Sequence, residues 1–165
     1  MSEDQQAGAM EEGIVPLNIT HQYVKDLSFE NPGAPALFLQ PPDGAPDIAI
    51  EVNVTADQIG ENLFEVNLHV EARAKASETV LFITELDYCA IVEVGDIPDE
   101  HKQPLILIEV PRMLFPFARA IMSDTTRDGG FLPLNLNPID FVALYRNNVS
   151  DSEEKHQKES NSSSK

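Results

Sequence analysis

Tryptophan is absent, cysteine occurs once, and only 11 of 165 residues are lysine or arginine. The single thiol, Cys89, cannot close an intrachain disulfide, and with no C-x-x-C pair or Cys/His cluster the chain offers no thiolate metal site. A reducing compartment is expected. Against the few bases stand 28 acids, for a formal charge of −17, so a phosphate backbone would repel the chain and nucleic acid is not an expected partner. Nowhere do about 18 apolar residues run together, as a membrane-spanning helix requires. The opening MSEDQQAGAMEEG also lacks the basic and apolar regions of a signal peptide. A cytoplasmic protein with no direct membrane insertion is expected, in which the sequons at Asn18, Asn53, Asn148 and Asn161 occur by chance.

What is present suffices for one domain: an apolar content of 42% over this length supports a real hydrophobic core. The charge is uneven. Residues 1–72 contain a single base, Lys25, and residues 76–101 none, whereas Arg112, Arg119, Arg127 and Arg146 fall in the last third. Residues 1–18 are expected to form a flexible N-terminal arm, 19–146 the folded domain, and 147–165 a disordered C-terminal tail.

Within the domain, Ile19, His21, Tyr23, Leu27 and Phe29 suggest a first strand with one buried face, interrupted at Lys25. Residues 32–47 hold five prolines and two glycines around the apolar run Ala36–Leu39, which reads as a stiffened loop capping the core. Two segments then alternate cleanly, Ile48 to Thr55 and Phe64 to Arg73, as an antiparallel hairpin with one wet, acidic face. A fourth strand, Thr79 to Val94, is expected to break near Asp87 to Ala90, and the four strands in order suggest a meander, with the first strand's position left open by its long loop. The period then becomes helical: Leu107, Val110, Leu114, Phe117 and Ile121 share a face, Pro104 suits the first turn, and Pro111 and Pro116 predict a kinked or broken helix. Asn137 before Pro138 predicts the N-cap of a short second helix through Tyr145. The expected class is α+β: a four-stranded antiparallel sheet packed by two helices.

No set of catalytic groups emerges. His21 and His69 lie in strands and read as surface or core residues, and Cys89 has no cationic neighbour to activate it. The run Asp96, Asp99, Glu100, His101 lacks EF-hand spacing and reads as a solvated loop, leaving no metal site expected. A lyase using His21 or Asp99 is the least poor enzymatic alternative. Binding is the expected activity, with no enzyme and no cofactor.

Three ordered motifs support that expectation: Tyr23-Val-Lys-Asp-Leu-Ser-Phe-Glu-Asn-Pro-Gly-Ala-Pro35, Leu114-Phe-Pro-Phe-Ala-Arg119, and Gly130-Phe-Leu-Pro-Leu-Asn-Leu-Asn-Pro-Ile-Asp-Phe141. In these, the chain from about Ile19 to Arg146 resembles the SecB family of protein-export chaperones. The resemblance implies a homotetramer, a dimer of dimers with the long helices between sheets. It implies a holdase that keeps unfolded preproteins translocation-competent in the cytosol and delivers them to the SecA motor, without nucleotide or metal. It also implies a client groove between Leu37, Phe38 and Leu39 on the crossover loop and Phe141, Leu144 and Tyr145 on the second helix, and SecA docking at Asp26, Glu30, Ile83 and Glu85. Family tails are acidic, whereas residues 147–165 carry four acids and three lysines, and Asp87-Tyr-Cys-Ala90 departs from the family's glycine-rich form. A generic holdase of the same fold with no SecA role is the alternative.

Overall fold

The computed structural model describes residues 16–162, with side chains through Asp151. The expected arm, apart from its last few residues, lies outside the described residues. Four long strands dominate: β1 (Leu17–Glu30), β2 (Asp47–Gly60), β3 (Leu63–Ala76) and β4 (Thr79–Val94). They form one antiparallel sheet in the order β1-β4-β3-β2. β2, β3 and β4 are the expected meander, while β1 crosses over to pair with β4.

β4 is not broken. Asp87 pairs with His69 and Asp26, and Cys89 with Asn67 and Tyr23, so the ladder continues through the expected interruption. The irregularity sits on β1, whose register shifts between Ile19 and His21 and again between Val24 and Asp26. Each extra residue sends the following side chain to the opposite face. Ile19, Leu27 and Phe29 therefore share the face of Val92, Leu86 and Thr84, whereas His21 and Tyr23 share the other face with Ile91 and Cys89. Simple alternation had placed all five together.

The core lies on one face of the sheet. Val66, Leu68, Val70 and Ala72 of β3, with Leu86, Ala90 and Val92 of β4, are fully buried. At about 1.5–3 kcal/mol per large aliphatic side chain, this face is the main source of stability. It is covered by a helical rod that begins at Asp99, earlier than Pro104: α2 (Asp99–Pro104), a π-helical turn over Leu105–Glu109, and α3 (Val110–Asp128). The rod does not break. The π-helical turn lies between Pro104 and Pro111, and the helix continues past it with Pro116 in its interior. It also shifts the phase of the buried stripe, which runs through Ile106, Ile108, Val110, Leu114, Ala118 and Met122. Phe117, expected inside, is 51% exposed.

Residues 36–39, expected as loop, form a single helical turn, α1 (Ala36–Leu39). The last helix, α4 (Phe141–Ser162), starts later than Asn137 and runs past Arg146 through the segment expected to be a disordered tail. Asp140 is its cap, with Oδ1 accepting the Ala143 N–H at 3.0 Å. Beyond Arg146 the sequence contains no glycine or proline and several good helix formers, so no strong local signal stops the helix.

Candidate polypeptide-binding surfaces

Four phenylalanines distant in sequence, Phe29, Phe38, Phe82 and Phe131, cluster around α1. Phe38 lies 5.8 Å, centroid to centroid, from Phe131, which is 5.0 Å from Phe82 and 6.3 Å from Phe29. This cluster forms because a pair of glycines turns the chain after α3. Gly130 has φ +92, which L side chains rarely adopt, and a Cβ on Gly129 would meet the Phe29 ring at 2.1 Å. The extended segment that follows is pinned back on α3 by Thr126, whose buried hydroxyl accepts the Leu134 N–H at 2.9 Å and lies 3.0 Å from the Met122 carbonyl.

Beside the cluster lies an open groove of about 390 Å³, lined mainly by Pro46 just before β2, Ile48 at the start of β2, Phe82, Phe131, Leu132 and Leu134. Its wall is almost wholly apolar, and Leu132 is 89% exposed. Such a surface can bind extended polypeptide through apolar contact worth about 25 cal/mol per Å² without a sequence code.

The six residues expected around a client groove divide between two locations. Leu37 is buried, Phe38 joins the aromatic cluster, and Leu39 is 79% exposed beside it. Phe141, only 2% exposed, packs edge-on against Phe115 of α3 at 6.0 Å, with Leu144 and Tyr145 half-buried against the core. Phe141 therefore packs in the core of the described chain, apart from the aromatic cluster around Phe38. The groove residues that alternation missed are Pro46, Ile48 and Phe82. Ile48 has core periodicity, yet it sits on an edge strand that the helical rod does not fully cover, and strand order is what sequence does not reveal.

The opposite sheet face is polar. Registration places Asp26 across from Asp87, Ser28 across from Glu85, and Glu30 across from Ile83, so Asp26, Glu30, Ile83 and Glu85 occupy one face of two adjacent strands. The same files continue through Glu71 to Glu51 and through His69 to Asn53. Directly opposed glutamates repel. Glu85, Glu71 and Glu51 form such a file, and no salt bridge joins them to a base among the described residues.

Two partnered acids break that pattern. Glu65 accepts from Lys25 Nζ at 2.8 Å and from the Tyr23 hydroxyl. The Lys25 ammonium, then the Tyr23 hydroxyl, hold the Glu65 carboxyl below its usual range, while burial and Glu65 push the Tyr23 phenol up. Asp87 Oδ1 lies 2.9 Å from both Asn67 Nδ2 and His69 Nδ1. Burial raises the Asp87 carboxyl, but these hydrogen bonds outweigh it and leave the group lowered. Cys89, fully buried between these pairs, is pushed up to about 11 by burial, first, and by Glu65. It is a protonated, unreactive thiol at neutral pH.

Among the described residues no group of three or more His, Cys, Asp or Glu is arranged to hold a metal ion, and no helix is long and apolar enough to cross a membrane. The expected run Asp96 to His101 contains the first turn of α2, where Asp99 pairs with Lys102 at 2.9 Å.

A model of the family described as preprotein translocase subunit SecB matches residues 10–152. A protein-export protein SecB of Rhodospirillum rubrum is 55% identical over 134 residues, covering 81% of this chain and 82% of the relative. Another, from Rhodopseudomonas palustris strain TIE-1, is 49% identical over 151 residues, covering 91% and 96%. Among solved structures, a SecB-like chaperone of Mycobacterium tuberculosis, in complex with a peptide from the HigA1 antitoxin, superposes with a TM-score of 0.57 over 75% of this chain and 91% of that one. Its 19% identity makes that a likeness of fold. An export-family match across most of the length, carried on an α+β fold with an apolar groove on one side and an acidic sheet on the other, establishes that this chain belongs to the SecB family of protein-export chaperones.

Proposed function

We propose that the protein is a cytoplasmic holdase that binds unfolded preproteins along its apolar groove, keeps them translocation-competent and delivers them to SecA through its acidic sheet face. The observation that carries this reading is the groove beside the Phe38–Phe131–Phe82 cluster, with Leu132 exposed in its wall. Client contact falls to Phe38, Leu39, Ile48, Phe131 and Leu132. Leu144 and Tyr145 contribute at the margin, and Leu37 and Phe141 support from the core. On the far face, Asp26, Glu30 and Glu85, with Ile83 among them, supply the charge and one apolar contact for a basic partner.

Assembly as a homotetramer, a dimer of dimers, accounts for a second apolar area. Val24 and Leu27 of β1 and Met113 and Phe117 of α3 are exposed around the stack of Phe117 on Tyr88 at 6.2 Å. A second copy that sandwiches α3 between sheets would cover them. Nothing in this reading requires a catalytic group, a metal or another cofactor.

The test separates the two surfaces. Leu132→Ser should weaken binding of an unfolded preprotein about tenfold and leave SecA binding intact, whereas the pair Asp26→Asn and Glu30→Gln should do the reverse. Equal loss of both activities in both variants, or of neither, would refute the division. A purified protein that holds clients but never binds SecA at low salt would be the generic holdase instead.

A further inference from the structure

We infer that His69 makes the acidic docking face responsive to pH, so that a basic partner is held more weakly as the pH falls. The inference rests on the docking reading proposed above. It starts from a cross-strand file: Asp26 on β1, Asp87 on β4, His69 on β3 and Asn53 on β2 stand directly opposite one another in turn. His69 Nδ1 is 2.9 Å from Asp87 Oδ1, which places the ring in the middle of the acidic face.

The charged groups around it come from every strand. β4 presents Asp87 and Glu85, β1 presents Asp26 and, at its bulge, Lys25, β2 presents Glu51, and β3 itself presents Glu65, which is paired with Lys25, together with Glu71 and Arg73. Among the described residues, α4 approaches this file through Asn148, whose amide lies 3.4 Å from the Asn53 side-chain oxygen and carries no charge. Imidazole is the one type of side chain among these whose charge ordinarily changes between about pH 5 and 8.

A neutral ring with its proton on Nδ1 already donates to Asp87. Protonation of the other nitrogen keeps that bond and converts it to an ion pair. The sheet does not rearrange, but one positive charge is added amid Asp26, Glu71, Glu85 and Asp87. The attraction for lysine and arginine falls accordingly. His21 also lies on this face, opposite Ile91. It is displaced by the β4 stretch from Asp87 to Ile91, about 13 Å at a rise of about 3.3 Å per residue. That exceeds the Debye length of about 8 Å at physiological salt, so His21 serves as a control.

The experiment measures the affinity of the full-length protein for an acetylated, amidated peptide of lysine, arginine and glycine, which has no titrating group in the range. Between about pH 7.5 and 5.5 the wild type should lose about three- to tenfold in affinity, the scale of one nearby unit charge near a protein surface. His69→Asn, whose Nδ2 replaces the Nδ1 donor, and His69→Gln should each vary less than about twofold across the same range, a difference too small for a lost unit charge. His21→Asn should follow the wild type. If both His69 variants retain the wild-type pH dependence, the inference is overturned while docking stands. If Asp26→Asn with Glu30→Gln leaves peptide affinity at the higher pH unchanged, the docking reading fails and this inference falls with it.

Discussion

Gly129 and Gly130 hold the aromatic cluster by having no side chain. At Gly129 a Cβ would sit 2.1 Å from the Phe29 ring, and at Gly130 a Cβ would add a 2.9 Å contact with the Phe38 ring to a left-handed backbone. Gly129→Ala is therefore expected to lower stability by about 1–3 kcal/mol, the usual cost of overpacking, and to loosen the groove beside it. Urea unfolding and client affinity together check this. Glu65 makes a different prediction. Its carboxyl is lowered in the folded state, so its contribution to stability is present above the unfolded value of 4.5 and is lost as the pH falls through the folded value. Lys25→Met should thus be less stable than wild type near neutrality. The difference should shrink as the pH drops below the ordinary glutamate range, as thermal unfolding at several pH values would show.

At the level of elements, Thr126 links α3 to the extended segment forming one wall of the groove. Thr126→Val removes the acceptor for the buried Leu134 N–H, and an orphaned buried donor costs about 1–3 kcal/mol. Amide exchange at Leu134 should accelerate while the centre of β3 stays protected; uniform acceleration would mean that the segment does not open separately. Much of the element plan was legible in the sequence. The β2–β3 hairpin announced itself by strict alternation, Ile48 to Val54 against Phe64 to Ala72, and Pro-flanked apolar residues marked the long rod. Three features were not legible. The bulges in β1 change faces without changing composition, and the π turn moves the buried stripe from Leu107 to Ile106 and Ile108. The cap belongs to Asp140 rather than Asn137 because only the folded chain decides which oxygen reaches a free N–H. These are choices among local geometries of similar energy, settled by packing. The candidate docking acids were named through the family resemblance and not from charge or periodicity, and Ile48 and Phe82 acquire a groove only from strand order and the approach of Phe131.

The whole molecule separates two kinds of surface. Its charge of −17 is concentrated in the half of the chain that builds the sheet, while the groove is walled by Ile48, Phe131 and Leu132. Electrostatic docking is screened by salt; apolar burial is not weakened by it. The most direct measurement is the affinity of the intact protein for an unfolded preprotein as sodium chloride rises from about 0.05 to 0.5 M, which shortens the Debye length from about 14 to 4 Å. The account predicts that client affinity stays within about twofold, with SecA affinity falling at least tenfold over the same range. Client binding that collapses in parallel with SecA binding would contradict it, by placing the client on the acidic face.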